Sequence, residues 1–284
     1  MLIRTILTAS TLALSTLAAH ADGHSHKSGY ALSNEGKTLL VMADFSKPGD
    51  IMSFDLGESF DAITWRPVTG ELLGYTNGKI HVIDPATGKT TNLGATFMED
   101  AKTADNASVG FDFNNKIDAV RIVSSAGDNL VYFPQGFGNG DEKAGSVRRF
   151  TNLAYAAEDT NEGKTPAVFA NAYTNAINGK TASGTAQYAL DAETDSLVTL
   201  ANNEGTLGTV GTITVSGKTA NLAALGGFDI VSEAEGKDEA FAIMQMEGAQ
   251  TAGLYSVDLA TGGMKLIADL PVGGVTGFAV SLNK

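Results

Sequence analysis

The chain has no cysteine, which excludes several kinds of chemistry. Disulfides, thiolate metal sites, haem attached through cysteine and a lipid-modified cysteine anchor all require a thiol. Histidine is nearly as scarce, with four in 284 residues. Only His81 lies well inside the chain, so a Ser-His or Cys-His nucleophile is hard to assemble. Basic side chains are few, 19 Lys and Arg against 32 Asp and Glu. An acidic chain of this kind repels phosphate backbones, which argues against nucleic acid as a partner. Beyond the first residues no apolar run approaches the length of a membrane span, and no stretch shows convincing helical amphipathicity.

The first residues read MLIRTILTASTLALSTLAAHA. Arg4 gives a positive start, residues 6–17 an apolar stretch, and Ala19-His20-Ala21 a small-x-small cleavage site. That pattern predicts a secretory signal peptide over residues 1–21, cleaved after Ala21, and a periplasmic or secreted product with no membrane anchor. Cleavage leaves 18 basic against 32 acidic side chains, a net charge of −14. Residues 22–37 are small and polar and are expected to form an exposed tail. Residues 38–284 are expected to form one domain.

Residues 226–270 show the building unit. Apolar runs at 228–231, 240–244, 254–259 and 264–270 are each of strand length, and Gly, Asp, Glu and Thr fill the gaps. Four antiparallel strands in about 45 residues match one propeller blade. The pattern recurs. Phe-Asp stands before an apolar stretch at Phe60-Asp61, Phe111-Asp112 and Phe228-Asp229, with a looser echo at Gly277-Phe278-Ala279. A third-strand ending of apolar residue then Asp leads into turns at Asp84, Asp191 and Asp258, where Asp caps the turn through its own side chain. Gly88 and Gly262 supply the positive φ of those turns, and Asp195 does so less comfortably. The fold class is therefore all-β: a β-propeller of about five four-stranded blades. The last strand, 277–282, has no blade after it, and the first strands have no inner strand before them. The C-terminal strand is thus expected to close the ring by joining the N-terminal blade. A sixth, degenerate blade near residues 206–225 stays open at this point.

Several motifs resemble a known family. Val109-Gly-Phe-Asp-Phe-Asn, then Asp118-Ala-Val-Arg-Ile-Val-Ser, then Asp128-Asn-Leu is similar to the V-D-F-N-P, D-R-L-R-V-V-S and N-L-R series of an uncharacterised bacterial secreted domain family. Trp65-Arg-Pro-Val-Thr-Gly70 resembles its R-P-A-T-G turn, and the similarity runs on through residues 153–163 to Gly227-Phe-Asp-Ile230. The resemblance implies an exported, propeller-like domain of unknown function and transfers no catalytic residue. The chain departs from the family at Val131, where Arg is usual, and at residues 135–140, where a D-x-T-G turn is usual.

Three groups of residues carry candidate chemistry. Cleavage after Ala21 would start the mature chain at Asp22-Gly23-His24. A free amine, two backbone amides and the third-position imidazole offer four nitrogens in a plane, which suits Cu(II) or Ni(II), with His26 as a competing ligand. Asp61, Asp112 and Asp229, if they stand at one height on inner strands, converge on the axis. They would then hold a hard cation such as Ca(II), or supply acid and base for glycoside chemistry. The alternative is that each binds backbone amides locally. Asp159, Asn161 and Gly163 alternate like the start of a calcium loop, but Lys164 and Ala170 break the pattern. The glycine-rich pieces at 205–211 and 136–140 have no following helix and read as loops. The expectation is a non-enzymatic exported propeller binding a small molecule or protein. A metal- or carboxylate-dependent enzyme at the channel and periplasmic copper or nickel binding are the alternatives.

Overall fold

The structure is a computed structural model and describes residues 26–283. Residues 1–21, where a signal peptide is expected, and Asp22-Gly23-His24 lie outside the described residues. Blade 1 holds β1 (His26–Ser33), β2 (Thr38–Met42) and β3 (Ile51–Asp55). Blade 2 is β4 (Ala62–Arg66), β5 (Glu71–Thr76), β6 (Lys79–Ile83) and β7 (Thr90–Asn92). The short β8 (Thr96–Phe97) precedes blade 3, which is β9 (Val109–Asn114), β10 (Ala119–Ser124), β11 (Asn129–Tyr132) and β12 (Ser146–Arg149). β13 (Ala154–Tyr155) precedes blade 4: β14 (Val168–Tyr173), β15 (Gln187–Asp191), β16 (Ser196–Ala201) and β17 (Thr206–Thr212). β18 (Thr214–Val215) and β19 (Lys218–Thr219) precede blade 5: β20 (Leu222–Ser232), β21 (Asp238–Met246), β22 (Gly253–Val257) and β23 (Gly263–Asp269). The last strand, β24 (Gly277–Asn283), is the inner strand of blade 1, paired antiparallel with β1 from His26↔Asn283 to Leu32↔Gly277.

The fold is thus an all-β, five-bladed propeller closed by its C-terminal strand. Two details differ from the sequence expectation. First, the stretch expected to be an exposed tail supplies β1, whose last six residues are buried. Its polar content misled. Ser28 and Ser33 are buried in the sheet, and the Tyr30 hydroxyl hydrogen-bonds Ser281 at 3.2 Å. Second, there is no sixth blade in the 206–225 region. β17 is the outer strand of blade 4, and β18 and β19 extend blade 5. The links between blades also contribute. β8, β13 and β18 each lie parallel on the outer strand of the blade that follows them.

The turns behave as their chemistry requires. The Asp84 carboxylate accepts from Ala86 N (2.9 Å) and the Thr87 hydroxyl (2.7 Å), with Gly88 at φ 73°. Asp258 repeats this with Ala260 N and the Thr261 hydroxyl, and Gly262 stands at φ 77°. Asp191 does so with Glu193 N and Thr194, and Asp195 takes φ 50° in place of glycine. Such side-chain bonds replace water on the turn amides and fix the hairpin register.

The inner strands β24, β4, β9, β14 and β20 surround the axis. All begin on one face, called proximal, and end on the other, called distal. Near the proximal end each places a small residue toward its neighbour: Gly277, Ala62, Gly110, Ala170 and Gly227. A Cβ on Gly227 would stand 2.3 Å from the Phe278 backbone nitrogen, and one on Gly110 2.9 Å from the Ala170 backbone. Apolar clusters fill the wedges between blades, from Phe228 with Leu190 at the blade 4–5 junction to Tyr75 with Phe111 at the blade 2–3 junction.

Gly227→Ala is therefore expected to force backbone apart at the axis and destabilise the fold by about 1–3 kcal/mol, the usual range for overpacking. Gly184→Ala, where a Cβ meets nothing within 4 Å, is expected to change stability by less than about 0.5 kcal/mol. Urea unfolding of the two variants checks the contrast.

Candidate functional site

Two residues beyond the small-residue ring, the inner strands present Ala279, Thr64, Asp112, Ala172 and Asp229. The two carboxylates do the same thing. Asp112 accepts from Tyr173 N of the next blade (2.7 Å) and from the Thr64 hydroxyl of the preceding one (2.9 Å). Asp229 accepts from Val280 N of the next blade (2.5 Å) and from Ile230 N (2.7 Å). Each thus ties its inner strand to the following one, where no ladder joins them. Both are buried, and burial raises the Asp112 carboxyl well above the usual range, with Asp229 adding like-charge repulsion. Burial raises Asp229 to about 7.

Asp61 does not join them. It precedes β4 at the proximal mouth, where its carboxylate accepts from Asn77 N at 3.0 Å and burial raises its pKa. The Phe-Asp pairs are not in register. Phe60-Asp61 stands ahead of the small residue Ala62, whereas Phe111-Asp112 follows Gly110. The three-carboxylate cation or acid–base site is therefore corrected to a buried pair plus a separate residue. Among the described residues no group of three or more His, Asp or Glu side chains is placed to hold a metal ion.

The other sequence candidates have local partners. Asp159 accepts from Thr209 N and its hydroxyl, both at 2.7 Å, pinning its loop to β17. His81 is buried edge-on against Phe60, with Nδ1 3.3 Å from Glu58, and burial lowers its pKa.

The sequence reading missed a cleft of about 260 Å³ on the distal face, between blades 3 and 4. Ile117, Val131, Phe133, Phe137 and Phe150 form its apolar wall. Phe133 and Phe137 meet edge to face at 4.8 Å. At its base lies Arg121, 4 % exposed, with its guanidinium 5.5 Å from the centre of the Phe150 ring. Arg121 donates to Asn129 Oδ1 (2.7 Å), Asn203 Oδ1 (3.0 Å) and the Tyr173 hydroxyl (3.5 Å). Tyr173 in turn donates to Asn202 Oδ1 at 2.8 Å, and burial raises the phenol to about 12. Lys143 stands at the rim, bonded to Asp141 at 3.0 Å. Two sequence signals point here: Arg121 lies in one of the family-like motifs, and both departures from that family, at Val131 and in the 135–140 stretch through Phe137, reach the cleft wall.

A second cavity, about 330 Å³, opens at the proximal mouth beside Glu35, Phe60, Asp61 and Phe169. Among the described residues no helix is long and apolar enough to cross a membrane.

Residues 40–279 match the model of a family described as a domain of unknown function, DUF4394. No curated protein matches the sequence. Among solved structures, the chain is similar to TolB from Acinetobacter baumannii (12 % identity, TM-score 0.42, 90 % of this chain and 66 % of that one). It is also similar to an auxiliary nutrient binding protein from Bacteroides thetaiotaomicron (14 %, 0.37, 75 % and 55 %). A chain of a nidogen/laminin complex is similar as well (11 %, 0.46, 92 % and 100 %). The chain spans less than two thirds of the length of the first two.

The carboxylate pair gives a pH signature. Asp229 binds its proton more tightly in the fold than in the unfolded chain, so its contribution is fullest at low pH and is lost as pH rises from about 4 through about 7. The stability of the wild type relative to Asp229→Asn is expected to fall across that window by about 1 kcal/mol or more. Urea unfolding of both proteins at pH 4.5, 6 and 8 measures it. A difference that stays flat contradicts the assignment.

Proposed function

We propose that this chain, which belongs to the DUF4394 family of unknown function, is an exported binding propeller rather than an enzyme, and that its ligand enters the distal cleft between blades 3 and 4. The observation that carries the reading is the cleft itself: an apolar wall from blade 3 with Arg121, Tyr173 and Asn203 converging at its base. Small-molecule sites combine those two features. The titratable groups of the cleft favour binding over catalysis. Among the described residues no carboxylate or imidazole lines the cleft, and its phenol, Tyr173, raised to about 12, holds its proton at neutral pH. A general acid–base pair needs a group that exchanges protons near the working pH, and the phenol does not.

Export rests on the leader over residues 1–21, and a periplasmic or extracellular location follows from it. The buried pair Asp112 and Asp229 is better suited to a structural role, since both carboxylates are occupied by main-chain N–H groups.

The test is a native mass spectrum of the protein taken from the envelope fraction of its own organism. The expected mass starts at Asp22 and carries a small organic molecule that is lost from a Phe137→Ala variant. A copper or nickel adduct on the same mature chain would favour the Asp22-Gly23-His24 reading instead. A calcium adduct would return attention to the axis, and a mass that retains residues 1–21 would contradict export.

A further inference from the structure

Arg121 is out of place in an acidic protein. Four arginines lie among the described residues. Arg66 pairs with Asp118, Arg148 with Glu142 at 3.7 Å, and Arg149 with Asp128 at 2.9 Å. Arg121 is more deeply buried than any of these, yet among the described residues it forms no ion pair. All its acceptors are neutral amide or phenol oxygens. Burying a cation without an anion is costly, and protein interiors normally pair such a group. The site has not neutralised it internally, although Asp112 stands opposite Arg121 in the β9–β10 register, because both oxygens of Asp112 are directed to Thr64 and Tyr173.

A guanidinium carries five N–H groups in a planar fork. Three are used here, one from each nitrogen, so one remains on each terminal nitrogen. Two such donors are what a carboxylate takes in a bidentate pair. Asn129 holds the fork in place, because its own amide nitrogen donates to Thr151 O and Asn202 O, both at 2.9 Å. The donor is therefore preorganised, and ordering it on binding costs little.

We infer that the cleft takes a small organic monoanion, a carboxylate on a flat apolar body, with the carboxylate on Arg121 and the body against Phe133, Phe137 and Val131. This rests on the cleft being the ligand site. A monoanion fits because the rim cation, Lys143, is already matched by Asp141, leaving one net positive charge to satisfy. The aromatic wall disfavours a bare hydrated ion such as inorganic phosphate, which would lose its water for no apolar gain. The volume, about 260 Å³, lies just under the roughly 300–1,000 Å³ of sites for drug-sized ligands, so the molecule is small.

The test titrates benzoate, benzamide and benzylamine into the mature protein. Methyl and ring signals of Ile117, Val131 and Phe137 are followed by NMR. These probes share one ring and differ in charge, so the comparison needs no variant. Benzoate is expected to bind at the cleft at least about tenfold more tightly than benzamide, with benzylamine weaker still. Arg121→Met is expected to abolish the benzoate preference while leaving weak benzamide binding. Equal or tighter binding of benzamide or benzylamine at these residues would overturn the anion and leave the cleft as a ligand site. No shift at these residues with any of the three would overturn both.

Discussion

Five inner strands stand around one axis without a hydrogen-bonded ladder between them, and the rest of the molecule follows from how that gap is managed. Sheets joined only by side-chain packing can slide past one another. Here they are held at two levels. At one level Gly110 and Gly227 let the backbones approach until a methyl group would not fit, with Ala62 and Ala170 in the same ring. At the next, Asp112 and Asp229 reach across and take an N–H from the following blade. A buried carboxylate that accepts main-chain N–H groups avoids leaving those donors unsatisfied, which would cost about 1–3 kcal/mol each. The cost is a raised pKa. Ala172 lies between the two acids on one side of the ring and Ala279 and Thr64 on the other, yet Asp229 still adds like-charge repulsion to Asp112.

The blade pattern was legible in the sequence because it rests on local rules. Alternating apolar runs, Asp-initiated turns and glycine at positive φ report themselves within a dozen residues, and the C-terminal strand advertised its role by having no blade after it. What escaped had weak local signal or depended on register. β1 opens with His, Lys, Ser and Gly, and its burial is decided by β24, some 250 residues away in the chain. β8, β13 and β18 are two residues each, too short for any period. The Phe-Asp repeat was real at Phe111 and Phe228, but the third member was displaced. A match of letters does not fix height on an inner strand, and only the neighbouring glycine or alanine does.

The cleft was invisible for a different reason. Its residues lie between Asn114 and Asn203 and belong to two blades. Phe133, Phe137 and Phe150 look like ordinary core aromatics when read alone. Arg121 sits in a strand whose flanking residues, Val120 and Ile122, face the opposite wedge. Nothing in one strand says that the residue between them points to a junction left partly unfilled. The lone charge became informative only when the partners of every other described arginine were known.

The seam of the ring lies inside blade 1, where β24 and β1 are matched from His26↔Asn283 to Leu32↔Gly277. Had the seam fallen between two blades, opening the circle would have meant separating one apolar wedge. With the seam inside a sheet, opening requires breaking the β1–β24 ladder, peeling the inner strand from its blade and exposing the edges of both β1 and β24 to solvent. The ring is therefore a clasp rather than a hinge. It has no inexpensive way to spread, and any ligand would have to fit the faces and clefts of a ring that stays shut.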